Sequence, residues 1–252
     1  MTTYLRGNRR RRQTRGEPLE EALAEGQSAP AAAARGAAYA SPQQYGYAAR
    51  DLGTNNCRLL VARPQPDGFR VIDAFSRIVR LGEGMGESGK LSEAAMNRTL
   101  EALKVCAKKM RRRGVTRARA VATEACRRAS NCGAFLARVE RETGIRLEII
   151  SNSEEASLAI FGCAPLLDRS VPNALVFDIG GGSTEVTWFD VAGIGRGRGE
   201  LTKILREAPE RALRGWHSAP LGVVTLAERY GGRSVTPEIY GEMVADMTAE
   251  LE

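Results

Sequence analysis

The chain has 252 residues, 43% hydrophobic and 27% charged, an ordinary balance for a globular protein with one large or two modest cores. Its 37 Lys and Arg against 30 Asp and Glu give a net charge of +7. Such a field attracts polyanions without choosing among nucleic acid, nucleotides and inorganic polyphosphate. No apolar run approaches the ~18 residues of a membrane span, and no apolar stretch follows the N-terminal arginines to make a secretory signal. Five cysteines (Cys57, Cys106, Cys126, Cys132, Cys163), an odd count without a C-x-x-C pair, argue against a disulfide framework or structural zinc. A reduced, cytoplasmic protein with no membrane partner is expected.

Residues 1–44 are rich in Arg, Ala, Gly, Pro and Gln and predict a disordered basic tail, because they lack the apolar surface to offset ordering entropy. Arg9–Arg12 read as solvated rather than as a specific nucleic-acid or lipid contact. A first domain is expected over 45–170. Tyr45–Asp51, Cys57–Arg63 and Phe69–Val79 predict three strands, broken at Gly53 and between Pro64 and Gly68. Leu91–Arg113 predicts a helix capped by Ser92, with Ala95, Leu100, Leu103, Val105 and Met110 near helical spacing. Its Arg111–Arg113 end suits a helix C-terminus without any ligand. Then come a strand (Arg119–Thr123), a helix (Ala134–Thr143), a strand (Leu147–Ile150) and a helix (Ser153–Leu167). This alternation predicts an α/β domain with a mixed sheet.

The pattern restarts at Ala174, so a second domain is expected over 171–252. Ala174–Ile179 and Thr184–Asp190 predict strands around Gly180–Gly182. Asp51-Leu52-Gly53-Thr54-Asn55-Asn56 and Asp178-Ile179-Gly180-Gly181-Gly182-Ser183-Thr184 share Asp-aliphatic-Gly followed by small polar residues. They form an internal repeat spaced by 127 residues (178 − 51). Glycines let a backbone turn tightly and bring its N–H groups to phosphate oxygens. Gly53, Gly180, Gly181 and Gly182 supply that freedom, and Thr54, Asn55, Ser183 and Thr184 add side-chain donors. Asp51 and Asp178, where each strand enters its loop, are placed to hold a divalent cation that neutralises phosphate charge. One Asp-x-Gly-Thr alone is equally well an ordinary turn; two equally placed copies point to a clamp for a phosphate chain.

These loops resemble those of the exopolyphosphatase/guanosine pentaphosphate phosphohydrolase family, a branch of the actin-like phosphotransferase superfamily. The resemblance runs from about Tyr47 to Ala245. It includes Ala122-Thr123 followed by Arg127, Ile149–Leu158 with Glu154-Glu155-Ala156, Asp178–Glu185, and Ser218–Tyr230 with Pro220-Leu221-Gly222 before an apolar helix. The glycine triplet marks only the superfamily, whereas the Glu-Glu-Ala segment is more specific. The resemblance implies an actin-like (ribonuclease-H-like) bilobed fold with mixed five-stranded sheets. It implies Glu155 as the base that activates or orients the attacking water, Arg127 beside the phosphate path, and Glu185 as a further residue holding metal or water. Arg128 stands next to Arg127 and leaves the choice between them open; Glu154 and Glu155 equally suit a helix first turn, and Glu185 a solvated strand position.

The implied chemistry is in-line attack by water that releases orthophosphate from inorganic polyphosphate, guanosine pentaphosphate or both, with Mg2+ as cofactor. It admits a homodimer and a place in the stringent response. The single His217 excludes a multi-histidine metal site, and no Gly-x-x-x-x-Gly-Lys-Ser/Thr loop occurs. Three positions depart from the family pattern. Arg50 replaces an aliphatic residue and must snorkel or find a carboxylate; Asn152 replaces a glycine, where Asn tolerates left-handed backbone; Ser157 replaces an arginine. The family's second lobe continues beyond Glu252, so an incomplete second lobe is expected, with Val235–Glu252 as one of its helices and a poorly formed third strand at Gly193–Gly199. That expectation keeps a second function class open, a catalytically inactive polyphosphate- or nucleotide-binding module. An actin-like kinase is a third; it requires an adenosine-binding segment that the chain does not display.

Overall fold

A computed structural model describes residues 45–66, 68–163, 166–168, 170–191, 203, 213–232 and 234–252. The expected tail over 1–44 and the expected weak strand at Gly193–Gly199 lie outside them. The chain builds two lobes, each opening on a hairpin whose tip is one of the repeated loops.

In the first lobe, β1 (Gly46–Leu52) alternates buried and exposed residues, as a strand with one face on a core must. It pairs antiparallel with β2 (Asn56–Gln65), which pairs with β3 (Gly68–Ile78). The other edge of β1 takes β4 (Val115–Ala122) in parallel, followed by the two-residue β5 (Glu148–Ile149). The order β3-β2-β1-β4-β5 is the expected actin-like mixed sheet. A short α1 (Met85–Ser88) precedes α2 (Glu93–Arg112), where Ser92 Oγ accepts from the Ala95 amide at 3.2 Å. Leu100, Leu103, Cys106 and Ala107 of α2 are buried, and α4 (Cys132–Thr143) packs beside it. The basic end of α2 is clipped to β3: Lys109 and Arg113 hold Asp73 at 2.7 and 2.8 Å. α3 (Glu124–Arg128) follows β4, and α5 (Asn152–Cys163) packs toward the second lobe, where its Ile160 is buried with Val176 and Phe189.

The second lobe has β6 (Asn173–Ile179), β7 (Thr184–Asp190) and β8 (Leu213–Ala219), all antiparallel, in the order β6-β7-β8. Its sheet has three strands among the described residues, against five in the first lobe. The third strand falls at Leu213–Ala219. Helices α6 (Val223–Arg229) and α7 (Pro237–Leu251) follow, the latter capped by Thr236, whose Oγ1 accepts from the Ile239 amide. The repeat extends to strand register. Asp51 faces Arg58 and Leu52 faces Cys57 in one hairpin; Asp178 faces Glu185 and Ile179 faces Thr184 in the other.

Two departures resolve differently from expectation. Asn152 is the first residue of α5 and not left-handed; among described residues Arg80 is the non-glycine with positive φ. Arg50 is buried at 5% exposure, and its Nε and Nη1 find no hydrogen-bond partner, carboxylate or otherwise. No helix among the described residues is long and apolar enough to cross a membrane.

Candidate active site

Each repeated loop is held from behind by its carbonyls. In the first, Thr54 O accepts from Gly82 N at 3.0 Å, and Asn55 O accepts from Val79 N and Arg80 N at 2.8 and 2.9 Å. In the second, Gly180 O accepts from Val223 N at 3.0 Å and Gly181 O from Val224 N at 2.8 Å. These bonds leave the amides of Thr54, Asn55, Gly181 and Gly182 without an acceptor among the described residues. The tips touch. A Cβ on Gly181 would lie 3.0 Å from Asn55 N, and one on Gly182 would lie 2.9 Å from Thr54 Oγ1, so glycine is required at both positions by packing. Thr54 Oγ1 is buried and has no partner, a donor aimed into the junction of the loops.

A cavity of about 250 Å³ opens between them, lined by both loops with Asp51, Asp178, Thr123, Glu124 and Glu155. Burial pushes the Asp51 carboxyl up, Arg58 at 3.5 Å draws it back, and nearby Asp178 adds to the rise. Asp51 and Asp178 both line the cavity at the entrances of the two loops, a donor set that fits Mg2+, which binds through one or two carboxylates plus substrate phosphates. Among the described residues no group of three or more His, Cys, Asp or Glu side chains is gathered as a metal cage.

The two glutamates opening α5 separate. Glu154 turns outward to Arg119 at 2.6 Å. Glu155 turns into the cavity, and its Oε2 accepts from Arg127 Nη1 at 2.8 Å. Arg127 also donates to Ile150 O at 2.8 Å and, through Nη2, to Glu124 Oε2 at 2.9 Å. Arg128 points elsewhere, half exposed and 3.8 Å from Glu124. Despite the guanidinium, burial dominates and pushes Glu155 up to about 7, with Glu185 and Asp178 adding to the rise.

Three of the expected site residues stand behind the cavity wall. Arg127 supports Glu155 from the rear. Thr184 donates its hydroxyl to Leu221 O at 2.7 Å, which makes it a brace between β7 and α6. Glu185 is buried and accepts from Ser218 Oγ at 2.9 Å, while Asn152 Nδ2 donates to the same Ser218 Oγ at 2.8 Å. Burial raises the Glu185 carboxyl, and Ser183 and Ser218 hold it down. Sequence reasoning missed Glu124, because the five-residue helix that sets it three positions before Arg127 is too short to show a periodic pattern. It also missed the Asn152–Ser218 link, whose partners lie 66 residues apart and carry no local signal.

Two lobes whose first hairpins face each other across a cleft, with carboxylates at the strand ends and amides at the tips, define an actin-like protein. The chain belongs to the Ppx/GppA phosphatase family, whose model matches residues 60–247. It is 38% identical over 152 residues to a bifunctional 3-dehydroquinate synthase/phosphatase of Fusobacterium nucleatum, covering 57% of this chain and 23% of that protein. An exopolyphosphatase-like protein of solved structure superposes with TM-score 0.68 at 31% identity, over 82% of this chain and 60% of that one. The Ppx-GppA enzyme of Aquifex aeolicus gives TM-score 0.61 at 31% identity, over 82% of this chain and 63% of that one. The chain thus spans less than two thirds of the length of each of these relatives.

Proposed function

We propose that the chain is a phosphohydrolase that releases terminal orthophosphate from inorganic polyphosphate, guanosine pentaphosphate or both. The observation that carries this reading is Glu155, a carboxylate with a near-neutral pKa, in the same cavity as two loops of unused backbone amides. Family membership and the exopolyphosphatase-like neighbour support it.

The terminal phosphoryl group sits in the cavity lined by both loops, where the amides of Thr54, Asn55, Gly181 and Gly182 donate to its oxygens. Asp51 and Asp178 would hold Mg2+, which when bound neutralises phosphate charge. Glu155, ionised for much of the neutral range, accepts a hydrogen bond from the attacking water and takes its proton. Water oxygen bonds to phosphorus as the bridging P–O bond breaks; orthophosphate leaves and the chain is one phosphate shorter. Arg127 fixes the Glu155 carboxylate from behind, a positioning role. Little covalent work falls to the protein, whose part is alignment and charge neutralisation.

The test is orthophosphate release from long-chain polyphosphate with magnesium, with Glu155→Gln and Asp178→Ala alongside. Release lost in either variant supports the proposal. Binding of polyphosphate without turnover by the folded wild-type chain would leave a polyphosphate-binding module instead, and guanosine pentaphosphate as the rival substrate separates the two hydrolase forms.

A further inference from the structure

The repeat that sets the two phosphate loops also aligns the sheets behind them, and the two sheets differ in what covers them. With Asp51 matched to Asp178, Ala48, Arg50 and Val61 of the first lobe match Leu175, Phe177 and Trp188 of the second. Ala48 faces Val61 across β1 and β2, as Leu175 faces Trp188 across β6 and β7, so the match is of one and the same face. In the first lobe these positions are 7%, 5% and 0% exposed, in the core that Leu103 of α2 and Phe135 of α4 help to build. In the second they are 57%, 59% and 49% exposed. The other face of the second sheet is covered: Val176 and Phe189 are buried with Ile160 of α5. A sheet apolar on both faces is a middle layer and needs a second layer on its open side.

α7 carries a surface to match. None of its residues is buried. The helix meets β8, and its row of Ile239, Met243 and Met247 is half-buried. Beside that row, Tyr240, Val244 and Leu251 stand at i, i+4 and i+11, within one narrow stripe of a helix. They are 63%, 47% and 49% exposed. The apolar side of α7 is therefore wider than the part of it that its own lobe uses.

We propose that the open sheet face and the α7 stripe form a reciprocal interface between two copies of the chain, with α7 of each lying across Leu175, Phe177 and Trp188 of the other. The incoming helix takes the place on the second sheet that helices hold on the matching face of the first. Area favours this arrangement over a plain contact of sheet on sheet. An aromatic side chain offers ~150–250 Å² and an aliphatic one somewhat less, so the three sheet residues at about half exposure present roughly 350 Å². A stable interface needs about 800 Å² from each partner, which the sheet face alone does not reach. Adding the α7 stripe brings each copy to roughly 700 Å², and a two-fold interface buries both surfaces twice. Charge agrees with a second copy as the occupant. α7 holds Glu238, Glu242, Asp246 and Glu250 and no Lys or Arg, whereas the whole chain is +7, so the copies attract through this helix. The interface uses the face of β6 opposite Asp178, and it stands independently of the phosphohydrolase reading.

The test uses the full chain and has two readouts. Sedimentation equilibrium should give twice the chain mass at micromolar concentration. Phe177→Ser on the sheet and Val244→Ser on the helix, each with native circular dichroism, should each weaken dimerisation by about tenfold or more. The second readout fixes the geometry and does not rest on those variants. Phe177→Cys chains are mixed with Tyr240→Cys chains, treated with a short bismaleimide and mapped by peptide analysis. A bridge from position 177 of one chain to position 240 of the other is expected. Monomers throughout, a dimer that neither serine variant weakens, or bridges from 177 to 177 in place of 177 to 240 would overturn the proposal. So would a bridge that forms within a doubly substituted chain but not between the mixed single variants.

Discussion

Arg127 Nη1 lies 2.8 Å from Glu155 Oε2 and 2.8 Å from the Ile150 carbonyl, so a single nitrogen ties the carboxylate to the strand end that precedes its helix. The pairing runs across two opposed effects. An arginine at this distance favours the ionised carboxylate, yet burial is the larger effect and the group stands at about 7.

Removing the guanidinium therefore has a signed outcome. Arg127→Met leaves burial unopposed, so the midpoint of the pH–activity profile moves to higher pH, by about one unit or more, since a nearby opposite charge typically contributes ~1–3. Turnover at pH 7 falls at least several-fold, and Arg127→Lys lies between. A profile of unchanged midpoint with a lower plateau would show that Arg127 acts without Glu155.

Glu155 also carries a stability signature. Its pKa in the fold, about 7, lies above the ordinary 4.5, so the wild type loses stability as pH rises from the ordinary value through about 7. Glu155→Gln has no such charge to bury. The variant should match the wild type near pH 4 and exceed it at pH 8 by on the order of 3 kcal/mol at most, at about 1.4 kcal/mol per pH unit between the two values. Denaturant melts at the two pH values check this.

Gly222 bears on the second loop. A Cβ there would stand 2.6 Å from both Gly180 O and the Gly181 carbonyl carbon, backbone that cannot step aside without moving the loop. Gly222→Ala should cost about 1–3 kcal/mol and weaken polyphosphate binding. Gly86→Ala, whose Cβ would meet only Glu228 Oε2 at 3.6 Å, should stay within about 0.5 kcal/mol of wild type. Urea midpoints of the pair distinguish packing from propensity.

Ser218 links two lines of the site, accepting from Asn152 and donating to Glu185. Ser218→Ala leaves a buried carboxylate with one donor fewer, and stability at pH 7 should fall by about 1–3 kcal/mol. The loss should shrink as the pH is lowered and Glu185 protonates, which thermal melts at pH 7 and pH 4 would show.

Much of this site was legible in the chain because its signals are local. The Asp-aliphatic-Gly loops, the Ser92 cap and the strands on either side of each loop lie within a few residues of one another, and the repeat spacing carries through to strand register. What was not legible depends on contacts distant in sequence. The short helix Glu124–Arg128 has too few residues for a periodic pattern, so Glu124 went unseen as the second carboxylate on Arg127. Thr184 reads as a phosphate donor by type, yet Leu221 occupies its hydroxyl. The third strand of the second lobe, Leu213–Ala219, holds Arg214, Gly215 and His217 between its apolar residues, and only pairing with β7 makes it a strand. Arg50 was recognised as a misfit, and its buried Nε and Nη1 find no carboxylate.

The central claim is that water, held by Glu155, attacks the terminal phosphoryl group. Orthophosphate released from polyphosphate in ¹⁸O-labelled water tests it most directly. The account predicts one labelled oxygen per orthophosphate for the wild type and release abolished in Glu155→Gln. Unlabelled orthophosphate, or labelled release that survives Glu155→Gln at the wild-type rate, would contradict it.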